Sequence, residues 1–270
     1  MKFDISQYSV DQLQAIDNAL EAMQFKQDPM SEPFEQSYRA NPKNFRRFIN
    51  NMVDYKRALM AFFKKQYENR DRLIAVGSFV RADNYSRYLY DDEWQSYQDE
   101  LATINEQYTK IAADLGAIAL ALLLGGASDF SSADIQKQIV THSLKVAGTI
   151  QTTTMNRVKK AIEASIALGE DRAAFESRIQ PIFVNPWRGR FIAQQESINA
   201  YMQGKSGLAA QQGLGYKTCL SAQATDQICG GINGQTVPVD SPFSNGLMLP
   251  TFHFGCRCDV AYSDSPNGPA

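Results

Sequence analysis

The side chains able to do chemistry crowd into one stretch. Cys219, Cys229, Cys256 and Cys258 are the only cysteines of the chain, and all lie between Lys217 and Tyr262. His253, one of two histidines, lies among them. Thiolate and imidazole are the soft donors that zinc takes in tetrahedral sets of four. Cys229, His253, Cys256 and Cys258 form one such set, and Cys219 in place of Cys258 forms another. The spacing His-x2-Cys-x-Cys departs from paired Cys-x2-Cys knuckles. Disulfides are the rival staple. They would run from Cys256 or Cys258 back to Cys229 or Cys219, against the reducing tendency of a cytosol. A third reading leaves the thiols unlinked, buried and inert. A module of this size buries too little apolar surface to hold itself, so a staple is expected on size alone.

The elements around these residues are short. Ile232-Asn233-Gly234-Gln235-Thr236-Val237 reads as a hairpin, because Asn-Gly supplies the positive φ of a tight turn and Thr and Val suit a returning strand. Pro238, Pro242, Asn245 and Gly246 make the following segment a loop. A short strand is expected over Asp259 to Tyr262.

These residues also form an ordered set: Asp226-Gln227-Ile228-Cys229, then Ile232 to Val237, then His253-x2-Cys256-Arg257-Cys258. The set resembles the C-terminal signature of the Mu-F-like head-morphogenesis proteins of tailed bacteriophages. Upstream, Ile192-Ala193-Gln194-Gln195-Glu196, followed by Ala200 and Gly204, resembles the family's helical segment of the type Ile-Ala-Arg-Thr-Glu. Lys217-Thr218-Cys219 stands where the family has Lys-x-Trp. The chain departs at the first cysteine of the family's Cys-x2-Cys pair, whose place falls on Asp226, and at Gln194-Gln195. The resemblance covers roughly residues 132–262. It implies a low-copy minor head protein inside the capsid at the portal vertex. Such a protein would act in head morphogenesis and in genome packaging or ejection. Portal protein and capsid or scaffold proteins would be its partners. It would sit in the host cytoplasm during assembly and in the virion afterwards.

The rest of the chain must position that module. Hydrophobic residues make up 44% and charged residues 21%, an ordinary globular composition, and a net charge of -2 excludes a polycation built for nucleic acid. Met1-Lys2-Phe3-Asp4 leads into no apolar core segment, so no signal peptide is expected. Ser9-Val10-Asp11-Gln12 is a capping box for a helix to about Gln27, and three prolines make 28–42 a linker. A longer helix starts near Pro42, with Phe45, Phe48, Met52, Tyr55, Leu59 and Phe62 on one face. From Lys43 to Arg72 nine Lys or Arg face three acids, which offers non-specific contact with DNA phosphates or, more plainly, a solvated helix face. Leu73 to Asn84 turns the chain.

Tyr85, Tyr88, Tyr90, Trp94 and Tyr97 then lead into a stretch with six acids and no Lys or Arg between Asp91 and Thr109. Charge complementarity places it antiparallel to the basic helix, as a helical hairpin. The apolar run Leu115 to Ala127 is too short to span a bilayer, so no stable membrane insertion is expected. It should be buried in a core or an oligomer interface and end at Gly125-Gly126. Ser131, Ser132 and Asp134 offer caps for a helix bearing Ile135, Ile139, Leu144 and Val146, with His142 in its middle as a packed or surface residue. Thr152 to Thr154 are expected to break or cap it, with a separate helix over Met155 to Leu168. A short helix from Arg172 to Gln180 should end at Pro181, and Trp187 to Gln212 should form a long one.

The expectation is therefore a mainly α protein: a long-helix hairpin and helical bundle followed by a small β-rich Cys/His module. Residues 1–130 form an N-terminal helical region, 131–215 the helical part of a Mu-F-like domain, 216–262 the module and 263–270 a tail. No phosphate loop, nucleophile elbow or zinc-protease helix is present, so no catalytic residue is expected. Two other functions have a basis, the first in the residues and the second in a distant analogy with toxin domains that follow Mu-F-like regions in some proteins. One is a DNA-binding adaptor using 43–72, through Lys56, Arg57, Lys64 and Lys65. The other is a cysteine-dependent or ADP-ribosyltransferase-like enzyme resting on Glu196 or Cys256.

Overall fold

The computed structural model describes residues 41–74, 91–126, 133–221, 227–253, 256 and 258–267. The expected capping-box helix over 9–27, Tyr85, Tyr88, Tyr90, the Ser131 and Ser132 caps, Asp226 and Arg257 lie outside them.

Two helices begin with the same device. In α1 (Pro42–Glu68) the Asn41 side chain accepts from the Asn44 amide, and Pro42 follows at the first helical position, where no N–H is needed. In α6 (Pro186–Gln211) Asn185 accepts from the Trp187 amide and Pro186 takes the same place. A single turn, α2 (Arg70–Leu73), follows α1.

The hairpin forms between α1 and α3 (Asp91–Leu123). Its antiparallel register is set by polar contacts along its length. Asn44 Nδ2 donates to the Leu115 carbonyl at 3.0 Å, Asn51 Nδ2 to the Tyr108 carbonyl at 2.9 Å, and Tyr55 Oη to Asn105 Oδ1 at 2.6 Å. Farther on, Lys65 pairs with Glu100 at 2.8 Å and Trp94 Nε1 donates to the Leu73 carbonyl at 3.2 Å. Residues 115–121 of the apolar run are largely buried, while Leu122, Leu123 and Leu124 remain exposed. The run ends in a Schellman turn: Gly125 takes φ 73°, and the Gly126 amide reaches back to the Ala121 carbonyl. Among the described residues no helix is long and apolar enough to cross a membrane.

α4 (Ala133–Leu168) is one uninterrupted helix, which corrects the break expected at Thr152 to Thr154. Thr153 donates its hydroxyl to the Thr149 carbonyl at 2.8 Å and Thr154 to the Ile150 carbonyl at 2.7 Å. Such back-bonding places threonine inside a helix without exposing an unmet hydroxyl. α5 (Arg172–Phe183) runs through Pro181 rather than stopping before it. Only one turn remains, and the Val184 amide still closes on Gln180.

α3 packs most extensively on α6. At their crossing an added Cβ on Gly204 would lie 1.8 Å from the Ala113 carbonyl oxygen, and one on Gly116 would lie 2.0 Å from that of Tyr201. The two backbones are in direct contact there. One apolar cluster, with Tyr55, Leu59, Phe62, Trp94, Val158, Ile162, Phe175 and Phe183, fills the bundle. The other joins Phe45, Phe48, Leu115, Leu120 and Tyr201 to Cys219, Cys229, Cys256, Cys258 and Val260, so the C-terminal module shares the core of the helices.

Candidate metal centre

The module is a three-stranded antiparallel sheet in the order β2-β1-β3, with β1 (Tyr216–Leu220) in the centre, β2 (Thr236–Pro238) and β3 (Asp259–Ser263). The expected strand over 259–262 is thus present, and one residue longer. The Asn-Gly turn is also present, with Gly234 at φ 75°. Its pairing differs from a simple hairpin. β2 pairs with β1, not with the residues just before the turn. The turn is the end of a longer connection, and it is tied down at three points. The Gly234 amide donates to the Cys219 carbonyl at 2.8 Å, the Cys219 amide to the Gln235 carbonyl at 3.0 Å, and the Ser221 amide to Asn233 Oδ1 at 2.8 Å.

That connection carries the one-turn helix α7 (Gln227–Gly230), whose Cys229 is fully buried. Cys229 Sγ lies 3.0 Å from His253 Nε2 and 3.8 Å from Cys256 Sγ. The donor atoms of all three residues fall within 4.8 Å of one another. Two thiolates about 2.3 Å from a tetrahedral zinc stand about 3.8 Å apart, and a thiolate and an imidazole about 3.5 Å apart. The sulfur–sulfur edge therefore already fits, while the sulfur–nitrogen edge must open by about half an ångström. The Cys229–His253–Cys256 group is able to hold a metal ion.

Cys258 stands beside this group. Its bond to Cys256, together with burial, pushes the Cys256 thiol well above the ordinary cysteine range, and its own Sγ lies 3.8 Å from Ser221 Oγ. A bound cation would reverse that tendency and hold the thiolate. Cys219 is buried in β1 opposite Val260, outside the three-residue group. None of the four cysteines is joined in a disulfide.

α6 anchors the ligand loop at two places that sequence reading missed. Asn199 Oδ1 accepts from both the amide and the hydroxyl of Thr251, at 3.0 and 2.9 Å. Lys205 Nζ lies 2.6 Å from Asp259 Oδ1, and that same oxygen accepts the Val260 amide at 2.7 Å. The first contact precedes His253 and the second follows Cys258, so both flanks of the loop are held to one helix. Lys217 is likewise buried. It donates to the Val239 carbonyl at 3.0 Å and lies over the Phe243 ring at 5.3 Å, with burial lowering its pKa. The only signals for these residues were a lysine between Gly204 and Ser206 on a small-residue helix face and an acid directly after Cys258.

Glu196 faces the helical bundle. Its Oε2 lies 2.6 Å from His142 Nε2 on α4. That hydrogen bond raises the pKa of His142 above its ordinary value, against burial and the nearby Lys145. Glu196 thus ties α6 to α4. The four basic residues singled out for DNA contact have partners or are buried. Lys56 is buried, Arg57 pairs with Asp54, Lys64 with Glu68 and Lys65 with Glu100.

A helical scaffold that grips a small thiol- and imidazole-bearing sheet is the class of protein defined by this geometry. Residues 156–261 match the sequence model of the family described as Phage Mu protein F like protein. This segment holds α6, β1, β2, most of β3 and all five Cys/His candidates, and is similar to that family. No curated protein and no solved structure matches the chain.

Proposed function

We propose that this protein is a minor head protein of a tailed phage, acting in head morphogenesis at the portal vertex and in packaging or ejection of the genome. Portal protein and capsid or scaffold proteins are its partners. It resides in the host cytoplasm during assembly and in the virion afterwards. The Mu-F-like unit extends over 131–262, and the region before it supplies the hairpin on which the unit rests. The observation that carries this reading is the coincidence of the family match over 156–261 with a Cys229–His253–Cys256 group in a module anchored to α6. Zinc is the metal proposed for the module. Cys229, His253 and Cys256 hold it with Cys258 as fourth ligand, or Cys219 in its place. Such a closed four-ligand site supplies a structural cross-link and no chemistry.

The first test is a pull-down with the portal protein of the same phage, with mass spectrometry of purified particles. A stable complex and a few copies retained per mature head are expected. No portal binding, with absence from particles, would overturn the reading.

A further inference from the structure

We propose that Cys229 and Cys256 are an oxidation-convertible pair: two thiols in a reducing cell, a single disulfide after exposure to peroxide outside it. This rests on the reading of the cluster as the staple of the module, and it names the covalent form of that staple.

The geometry selects the pair. The two sulfurs are 3.8 Å apart, so about 1.8 Å must close to reach the disulfide length of about 2.05 Å. Cys229 sits on the one-turn α7 and Cys256 in the ligand loop, so the bond links two separate segments. Cys256 and Cys258 are only two residues apart, a spacing at which disulfide geometry is strained. Cys219 is held within the central strand, between two paired neighbours. His253 Nε2 lies 3.0 Å from Cys229 Sγ, beside the first sulfur to react.

The chemistry balances with hydrogen peroxide as the two-electron oxidant. Cys229 sulfur attacks one peroxide oxygen. An S–O bond forms, the O–O bond breaks, and the second oxygen leaves as water after taking the thiol proton. Cys256 sulfur then attacks Cys229 sulfur. The S–S bond forms, the S–O bond breaks, and a second water leaves with the Cys256 proton. The disulfide would remove two of the thiolate donors with which Cys229 and Cys256 would hold a metal. The cross-link joins positions 27 residues apart and restrains the unfolded chain.

The experiment uses the full chain, reduced, in two arms: metal-free and loaded with zinc. Each is titrated with hydrogen peroxide and read by thiol count, intact mass and disulfide mapping; zinc release is followed with a chromophoric chelator. Loss of two of the four thiols, a mass decrease of about 2 Da and a peptide joining Cys229 to Cys256 are expected. In the zinc arm the metal should appear in step with thiol loss. Cys229→Ser and Cys256→Ser should each abolish the disulfide. Mapping to any other cysteine pair, oxidation that stops at sulfinic acid, or no reaction would overturn the proposal. A protein that never binds zinc yet forms the Cys229–Cys256 bond would sink the zinc reading and leave this one standing. Zinc binding with no disulfide would do the reverse.

Discussion

Lys205 on α6 and Asp259 on β3 form an ion pair at 2.6 Å with both side chains only 2% exposed. A pair so deeply buried lost its hydration on folding, and its attraction offsets that cost only while both partners are present. Lys205→Met should therefore destabilise the protein by about 3–5 kcal/mol, because an isolated carboxylate remains in the core. The double variant Lys205→Met with Asp259→Leu should recover much of that loss. Urea denaturation of the two variants measures the difference. Equal stability of single and double variants would show that the pair does not tie helix to sheet.

The crossing of α3 and α6 predicts opposite signs for the same substitution at different glycines. Gly204→Ala and Gly116→Ala each drive a methyl into a carbonyl oxygen of the facing helix backbone, which has no flexible end to yield. A cost of about 1–3 kcal/mol or more is expected. Gly148→Ala, in the interior of α4, meets only the Gln98 side chain at 3.6 Å. It should stabilise the protein by about 0.5–1 kcal/mol through helix propensity alone. Thermal melts of the three variants are sufficient, and uniform destabilisation would refute the packing argument.

His142 predicts a pH dependence. Its bond to Glu196 raises its pKa in the folded state, so the folded protein binds the proton more tightly than the unfolded chain. The stabilisation is complete below about pH 6.5 and is lost as pH rises through the higher folded value. The stability gap between the native protein and His142→Asn should thus be wide near about pH 6 and narrow by about pH 9. A gap that widens toward alkaline pH would contradict the pairing.

The module predicts a metal requirement with a defined pattern. Protein purified under reducing conditions should carry one zinc per chain by elemental analysis. Cys229→Ser, His253→Ala and Cys256→Ser should each lower affinity steeply, because these donors lie together within 4.8 Å. Cys258→Ser should weaken binding, and Cys219→Ser should not if Cys258 is the fourth ligand. A strong chelator should lower the melting temperature of the native protein. Unchanged melting and no bound metal would remove zinc from the account.

Much of this was readable before any coordinates. Apolar spacing alone located the face of α1, since side chains three and four apart must share one side of a helix. Opposite charge on successive segments marked the α1–α3 hairpin, and the Lys65–Glu100 pair realises it. Clustering of soft donors pointed to Cys229, His253, Cys256 and Cys258, with Cys219 as an alternative, and the fold brings the first three within 4.8 Å of one another. These are properties of local order, and the chain writes them directly.

What only the tertiary structure decided concerns residues whose role reverses on burial. Lys217 and Thr218 gave β1 a polar look, so the central strand of the sheet was not foreseen, yet both are buried. The threonines of α4 looked like a break because their hydroxyls compete for the backbone, and the helix absorbs them by bonding back to it. Lys56 counted as a free cation in the sequence, and packing removed it from the surface. Lys205 finds Asp259 across 54 residues, and Gly116 finds the Tyr201 backbone across a helix crossing. Composition and spacing act over a few residues, so they determine helices, turns and donor clusters. Which buried charge meets which, and where two backbones touch, is settled only when those elements share one core.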